Sequence, residues 1–198
     1  MGVRPRQGKI VKSKAIFLDR DGVIIRQVEL LTQISKVKIL PKVAEAIKSF
    51  NKLEYLVIVV SNQPVVARGI ITEKGIEKMN EFIREKLVKK GARIDAFYFC
   101  PHHPNATLKK YRLRCRCRKP GPGMILQGIR DFYINPNKSF MIGDAMIDVV
   151  AGKRAKLKTI LVKSGPGHAR LDKLYKEKPD FTSKNLFDSI KIIKKYDR

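Results

Sequence analysis

The sequence lacks any apolar stretch that could cross a membrane. Its longest strongly apolar run, YLVIVV at 55–60, has the length of a buried strand, whereas a spanning helix needs about 20 apolar residues. The opening MGVRPRQGKIVKSK contains no apolar signal region. It also has no Ser or Thr at position 6, where a myristoylation signal requires one. We therefore expect a cytoplasmic protein that makes no membrane contact.

Acidic residues are scarce, with 18 Asp and Glu against 43 Lys and Arg, which gives a formal net charge of +25. Such a charge attracts polyanions and phosphorylated ligands. Because the basic residues are spread along the whole chain, a general property of the surface explains the charge better than dedicated nucleic-acid binding does. Nucleic acid therefore stays an alternative partner that we do not favour.

Cysteine is also scarce, and its three copies are clustered at Cys100, Cys115 and Cys117. The segment that contains them, CPHHPNATLKKYRLRCRCRKPGPG, also holds two of the three histidines. Clustered Cys and His in a chain without a secretion signal suggest a metal before a disulfide. The segment could serve as a nucleic-acid-binding zinc knuckle, as a structural clip or as part of an active site.

The apolar pattern alternates between strands and helices, and the length of the chain fits one domain. We predict strands at 14–18, 55–60, 94–99, 138–142 and 158–162, and helices at 41–53, between Thr72 and Gly91, at 122–132, at 144–154 and at 184–195. This order predicts a doubly wound, Rossmann-like α/β domain with a central parallel sheet over 14–198, preceded by a basic tail at 1–13. Ligands of such folds bind at the carboxyl ends of the strands.

Two acidic residues follow the first predicted strand. Asp19 and Asp21 flank Arg20, and Gly22 permits a sharp turn after them. Alternation in an extended chain places both carboxylates on one side, where they repel each other unless a cation lies nearby. A solvated acidic turn is the plainer alternative for this short motif.

Other polar residues follow later strands. Ser61 and Asn62 end the second strand, where a hydroxyl and free backbone N–H groups can hold phosphate oxygens. Asp144 follows the fourth strand, and Asp148 lies one helical turn later, either as an orienting acid or as a favourable charge at a helix N-terminus. Lys119, taken alone, could be a surface charge.

Taken together and in this order, these segments resemble the four motifs of the haloacid dehalogenase (HAD) superfamily of phosphotransferases: Asp-x-Asp, Ser, Lys, and Gly-Asp-x-x-x-Asp. The longer segments around these motifs are similar to those of the heptose bisphosphate phosphatases and their histidinol-phosphatase relatives. They are FLDRDGVI, SNQPVVARG, CPHH, CRCRKPGPGM and MIGDAMIDVVAG. The likeness covers residues 14–165.

The resemblance implies a mechanism. Asp19 would be the nucleophile that forms an aspartyl-phosphate, and Asp21 would be the general acid and then the general base. Mg²⁺ would be held by the carboxylates of Asp19 and Asp144 and by the backbone carbonyl of Asp21. Ser61 and Lys119 would bind the phosphate oxygens as transition-state charge develops. Further substrate contacts are expected from Arg20, Asn62, Gln63, Arg68 and Arg118.

The resemblance also implies a zinc site in the loop at 100–117. The matching ligands are Cys100, His102, Cys115 and Cys117, with His103 as the alternative histidine. Three Cys and one His fill a tetrahedral site with no open position, so this Zn²⁺ would be structural.

Two positions depart from the family pattern. The family's Asp-His-Gly-Tyr-like substrate segment aligns with QVEL at 27–30, and its Lys after the fourth-motif Asp is Ala145 here. Both departures affect expected substrate contacts, and neither affects the phosphoryl-transfer residues. Only one loop and one helix separate Asp21 from Ser61, so we expect a minimal cap and an open site that suits a small sugar phosphate or a phosphorylated polymer.

The leading hypothesis is a monomeric, Mg²⁺-dependent phosphomonoesterase that removes the C7 phosphate of a heptose bisphosphate. Histidinol-phosphate phosphatase is a close alternative function, although the segment Ala67-Arg68-Gly69 fits the heptose branch of the family better. A nucleic-acid 3′-phosphatase is a second rival, which the positive charge favours. A non-catalytic, zinc-bearing nucleic-acid binder is an alternative of a different class, with Tyr111 as the one aromatic residue of the basic loop.

Overall fold

The computed structural model describes residues 12–28, 30–169 and 175–197. Most of the expected basic tail, residues 1–11, lies outside the described residues, as does Glu29 of the expected substrate segment. Ser13 already belongs to the domain, because its carbonyl accepts a 2.7 Å hydrogen bond from the Asn135 backbone. Among the helices of the described ranges, none has the length and apolar character needed to cross a membrane.

In the part of the chain that the structure describes, the strands form one parallel sheet. Its strands are β1 (Lys14–Leu18), β2 (Tyr55–Asn62), β3 (Ala96–Cys100), β4 (Phe140–Gly143), β5 (Lys158–Val162) and β6 (Phe181–Ser183). The spatial order is β3-β2-β1-β4-β5-β6, and every neighbouring pair is parallel. The predicted doubly wound fold is confirmed.

Within the described ranges, six α-helices accompany the sheet. They are α1 (Val43–Lys52), α2 (Pro64–Ala67), α3 (Glu73–Val88), α4 (Gly123–Asp131), α5 (Met146–Arg154) and α6 (Ser189–Tyr196). Thr72 caps α3, as predicted, by accepting a 3.1 Å hydrogen bond from the Gly75 backbone. Before α1, the described residues between β1 and that helix contain a single 3-10 turn, Ile34–Lys36, so the cap is minimal.

The sheet has an apolar core on each face because successive strand residues point to opposite sides. On one face, Ile16 and Val57 belong to a core that includes residues of α1, α3 and α6. On the other face, Phe17 and Ile58 belong to a core that includes residues of α4 and α5. Coverage on both sides explains why β1 and β2 are apolar at nearly every position.

Two element boundaries, the end of β2 and the start of α5, differ from the prediction, and both lie beside expected site residues. β2 runs two residues beyond the predicted end, so Ser61 and Asn62 lie within the strand. α5 begins at Met146, so Asp144 is held in the turn between β4 and the helix. Since β2, β1 and β4 are adjacent, their carboxyl ends bring Ser61, Asp19 and Asp144 to one edge of the sheet.

Candidate active site

Lys119 lies at the centre of the polar groups at this edge. Its ammonium is 2.8 Å from Asp19 Oδ1 and 2.6 Å from Asp148 Oδ1, and it donates to the Val60 carbonyl at 2.8 Å. The lysine is only 3% exposed. Burial opposes its charge, but the carboxylates of Asp148 and Asp19 outweigh that effect and raise the pKa of Lys119 above its ordinary value. Lys119 is therefore a fixed cation beside Asp19, and the surface-charge alternative is wrong.

Asp19 and Asp144 carry more negative charge than Lys119 alone neutralises. Burial raises the pKa of the Asp19 carboxyl to about 7, although Lys119 opposes the rise. Burial, followed by repulsion from Asp19, raises the pKa of Asp144 to about 6. Oxygens of Asp19, Asp144 and Asp148 lie within 4.8 Å of one another. Hard oxygen donors with unbalanced charge at this spacing fit a divalent cation such as Mg²⁺.

Asp148 has a different environment from the other two acids. Its Oδ2 accepts the Ala145 backbone N–H at 3.1 Å, and its Oδ1 pairs with Lys119. It is 1% exposed. Asp148 therefore caps the N-terminus of α5 and orients the lysine at the same time, so both sequence-based alternatives for this residue describe real contacts.

Glycines make room around Asp144. Gly22 has φ of +83°, and a Cβ on it would lie 2.4 Å from Asp144 Oδ2. A Cβ on Gly165 would lie 2.0 Å from the same oxygen. Gly167 donates its backbone N–H to Asp144 Oδ2 at 3.0 Å. The carboxylate is thus fixed by backbone at a place where no larger side chain fits.

Asp21 belongs to a second polar network, with Arg20, Gln63 and Ser61. The Arg20 guanidinium is 3.0 Å from Asp21 Oδ2, and Gln63 Nε2 donates to the same oxygen at 3.0 Å. Gln63 Nε2 also donates to Ser61 Oγ at 3.2 Å. On its far side, Arg20 donates to Asn80 Oδ1 at 3.2 Å. This network connects the acid of the first motif to the serine of the second.

Two cavities open beside these networks. One, of about 160 Å³, is lined by Asp19, Lys119 and Asp144. The other, of about 350 Å³, is lined by Arg20, Gln63 and Arg68 together with apolar residues. Asp21, Gln27 and Asn62 line both. The first cavity can hold a phosphoryl group, and the second lies where the rest of a substrate would extend.

The expected zinc ligands converge in space. Sulfur–sulfur distances among Cys100, Cys115 and Cys117 are 2.9–3.4 Å, and His102 Nδ1 lies 3.3 Å from Cys117 Sγ. Hydrogen bonding with Cys100 lowers the pKa of the Cys117 thiol to about 5. The four ligand atoms lie within 4.8 Å of one another, and a tetrahedral Zn²⁺ site would place them about 3.8 Å apart. The donor set and its convergence fit Zn²⁺.

His103 and Arg118 lie outside this cluster of ligands. His103 Nδ1 accepts the Asn105 backbone N–H at 3.1 Å. The Arg118 backbone donates to Cys115 Sγ at 3.3 Å, and its guanidinium donates to the His102 carbonyl at 3.3 Å. Burial, with help from the charges of Arg118 and Arg68, lowers the pKa of His103. The Cys/His loop therefore fixes Arg118 next to Lys119.

Comparisons with known proteins agree with this geometry. A family model described as HAD-hydrolase-like matches residues 116–189. The D-glycero-beta-D-manno-heptose-1,7-bisphosphate 7-phosphatase of Pasteurella multocida is 37% identical over 182 residues, which cover 91% of this chain and 97% of the relative. A D-glycero-alpha-D-manno-heptose-1,7-bisphosphate 7-phosphatase of Photorhabdus laumondii is 37% identical over 155 residues, covering 78% of this chain and 85% of the relative.

The chain belongs to the heptose-bisphosphate phosphatase family of the HAD-like hydrolases. A solved structure agrees: the D,D-heptose 1,7-bisphosphate phosphatase of B. bronchiseptica, complexed with magnesium and phosphate, superposes with a TM-score of 0.81 at 25% identity. The match covers 92% of this chain and 98% of that structure. The chain is thus a phosphatase, and the resemblance inferred from its motifs is confirmed.

The phosphatase site contains residues that the motifs did not predict. Asn80, on α3, is 5% exposed and binds Arg20. A signal was present, since Asn80 is a polar residue directly after Met79 in the apolar face of that helix. Asn62 also has an unexpected contact, because its side-chain amide binds the backbone of Lys119.

Proposed function

We propose that this phosphatase removes the C7 phosphate of D-glycero-D-manno-heptose 1,7-bisphosphate by an Mg²⁺-dependent route through an aspartyl-phosphate, in the synthesis of nucleotide-activated heptose. The observation that carries the proposal is the largely buried group of Asp19, Lys119 and Asp144 at the carboxyl edge of the sheet. The names of the relatives that match most of the chain supply the substrate.

In the first step, a carboxylate oxygen of Asp19 attacks phosphorus and the bond from phosphorus to the C7 oxygen breaks. Asp21 donates its proton to that oxygen, so the sugar leaves as an alcohol. The Asp19 side chain is 14% exposed and that of Asp21 is 23% exposed. Both are therefore buried enough to exclude bulk water and open enough to meet substrate.

In the second step, Asp21 accepts a proton from water, and the resulting hydroxide oxygen attacks phosphorus. The acyl-phosphate bond breaks, Asp19 is regenerated and inorganic phosphate leaves. Asp21 thus returns to its protonated form, and one residue serves as acid and then as base.

Charge in the transition state spreads over the equatorial phosphate oxygens. Lys119, already fixed by Asp19 and Asp148, supplies one preorganised cation, and Ser61 supplies a hydroxyl. Bound Mg²⁺, held by Asp19, Asp144 and the Asp21 carbonyl, would reduce repulsion between the nucleophile and the phosphate dianion. Asp148 accepts the Ala145 backbone N–H through Oδ2 and forms an ion pair with Lys119 through Oδ1, so we assign it the role of positioning Lys119.

The cavity of about 350 Å³ would take the sugar. Arg68 lines this cavity, and we assign Arg68 and Arg118 to a second anionic group of the substrate, because guanidinium groups bind phosphate through paired hydrogen bonds. Gln63 lines the same cavity. We further propose Zn²⁺ as the ion that fixes the Cys/His loop, and a monomer in the cytoplasm as the working state.

A phosphate-release assay with Mg²⁺ tests the function. The substrates are both anomers of the heptose bisphosphate, because relatives named for the beta and for the alpha anomer are each 37% identical to this chain over their matched residues. Histidinol phosphate and a 3′-phosphorylated oligonucleotide complete the panel. We expect release from a heptose bisphosphate and none from the Asp19→Asn variant. Faster release from histidinol phosphate or from the oligonucleotide would reassign the substrate, and no release at all would refute the enzymatic proposal.

A further inference from the structure

Arg20 lies between Asp19 and Asp21 in the sequence, so a cationic side chain directly adjoins the two aspartates to which we assign catalysis. It is 1% exposed and is the largest of the fully buried side chains among the described residues. A buried guanidinium requires acceptors for its N–H groups, because burial without them is costly. Its side-chain acceptors here are the Asp21 carboxylate and Asn80 Oδ1.

Asn80 connects this cation to helix α3. Its Oδ1 accepts the Arg20 Nη1–H at 3.2 Å, and the residue is 5% exposed. The neighbouring Met79 belongs to the apolar core, whereas Asn80 is the polar exception on the buried side of the helix. One end of the guanidinium is thus tied to a rigid 16-residue helix, and the other end is free to hold a carboxylate.

The contacts of Asp21 are unequal between its two oxygens. Oδ2 lies 3.2 Å from Arg20 Nε, 3.0 Å from Arg20 Nη2 and 3.0 Å from Gln63 Nε2. Among the described residues, Oδ1 has only a 3.4 Å contact, with Arg20 Nη2. Because Asp21 also lines both cavities, Oδ1 is the oxygen available to exchange a proton with a substrate.

We propose that Asn80 is a positioning residue that acts through Arg20 to hold Oδ2 of Asp21, so that Oδ1 transfers the proton to the leaving group. This inference rests on the proposed role of Asp21 as the general acid. Arg20 then contributes by orienting Asp21, in place of the direct substrate contact that the sequence suggested.

Leaving groups of different basicity separate this role from a purely structural one. An alkoxide needs a proton as it departs, whereas 4-nitrophenolate departs readily without one. A misplaced Asp21 therefore slows transfer of the phosphoryl group to Asp19 more from glycerol phosphate than from 4-nitrophenyl phosphate, whereas the later hydrolysis of the aspartyl-phosphate is the same for both esters. A general loosening of the site would slow both substrates alike.

The decisive variant is Asn80→Leu, which has a similar volume and no acceptor. We expect its kcat/KM, which reports transfer of the phosphoryl group to Asp19 and not the later hydrolysis, to fall roughly tenfold or more for glycerol phosphate, since general acid catalysis contributes about 10²–10⁴-fold. For the nitrophenyl ester kcat/KM should fall less than about threefold. Asn80→Asp keeps an acceptor and should restore the wild-type ratio of the two rates. Met79→Leu, in the adjacent core position, controls for altered packing of the helix.

A second measurement follows Arg20 directly. Exchange of its Nε–H with water, observed by NMR, should be slow in the wild type and roughly tenfold faster in Asn80→Leu. Equal losses on the two esters, an unchanged rate ratio or unchanged exchange would each overturn the inference. Hydrolysis of these esters without release from heptose bisphosphate would refute the proposed substrate alone, because neither ester depends on recognition of the sugar.

Discussion

Asn62 and Lys119 hold each other by two reciprocal hydrogen bonds. The Asn62 amide nitrogen donates to the Lys119 carbonyl at 3.0 Å, and its side-chain oxygen accepts the Lys119 backbone N–H at 3.0 Å. The last residue of β2 thereby fixes the backbone of the lysine whose ammonium meets Asp19. The loop that carries Lys119 is thus tied to the edge of the sheet at the point where phosphate would bind.

We predict that Asn62→Ala lowers kcat by roughly 10–100-fold, because small displacements of a charge-stabilising group are costly to catalysis. The chain offers a matched control, since Asn51 binds the Arg93 backbone by the same pair of hydrogen bonds, at 3.1 and 2.9 Å. Asn51→Ala should lower thermal stability by a similar amount and leave kcat unchanged. Equal kcat losses in the two variants would show that the Asn62 contact has no special role in positioning.

Mg²⁺ should stabilise the folded protein through Asp144. At about 100 times its dissociation constant a ligand contributes about 2.7 kcal/mol, so we expect the wild-type Tm to rise by about 5 °C or more. Asp144→Asn should abolish that rise, whereas Asp180→Asn, a distant change of the same charge, should preserve it. A full Mg²⁺ shift in Asp144→Asn, measured by calorimetry, would exclude this residue as a ligand.

The same variant tests the electrostatics without metal. Burial and repulsion from Asp19 raise the pKa of Asp144 to about 6. A carboxyl group whose pKa is raised on folding destabilises the folded state at every pH above the pKa that it has in the unfolded chain. At pH 7.5 the neutral Asn should therefore stabilise the folded protein relative to Asp. Metal-free Asp144→Asn should therefore melt above the metal-free wild type near pH 7.5 and show little difference near pH 4.

Much of this fold could be predicted from the sequence because its strands are short apolar runs with polar ends. The predicted bounds of β1 and β5 agree with the structure. The motif residues then had to meet, since carboxyl ends of adjacent parallel strands share one edge. Asp19 and Ser61 could be placed together on this argument alone.

Other features have no local signal. β6 is only three residues long, FTS, and is defined by its pairing with β5. The contacts of Asn80 with Arg20 and of Asn62 with Lys119 span about 60 residues of sequence, and no periodicity indicates which partner a polar side chain will meet. These contacts depend on tertiary packing.

Asp180, which lies just before the edge strand β6, should make the free energy of unfolding depend on pH. Its Oδ2 accepts the Thr159 backbone N–H and hydroxyl, each at 2.8 Å, and its Oδ1 pairs with Lys153. These contacts outweigh burial and lower the pKa of Asp180 below its ordinary 3.8. The stabilisation is therefore fully present above about pH 4 and is lost as pH falls through the lower, folded-state value.

Asp180→Asn should accordingly lower the free energy of unfolding by about 1 kcal/mol at pH 7, a figure that allows for solvent screening. The difference from wild type should stay constant down to about pH 5 and shrink below pH 4. Urea unfolding across this range measures it. A difference that grows as pH falls would contradict the assignment.

The Cys/His cluster should bind one Zn²⁺ per chain, which elemental analysis can measure. Cys115→Ser combined with Cys117→Ser should lose the metal, because two of four ligands are removed, and should lower both Tm and kcat. The loss of activity is expected because Arg118 and Lys119 directly follow Cys117, so an unfolded loop misplaces the cation that meets Asp19.

The two histidines of the loop give a matched comparison. His103→Ala should keep its zinc, whereas His102→Ala should bind zinc more weakly, since of these two residues it is His102 whose Nδ1 lies beside the sulfurs. Equal zinc content in the double variant and the wild type would refute the site.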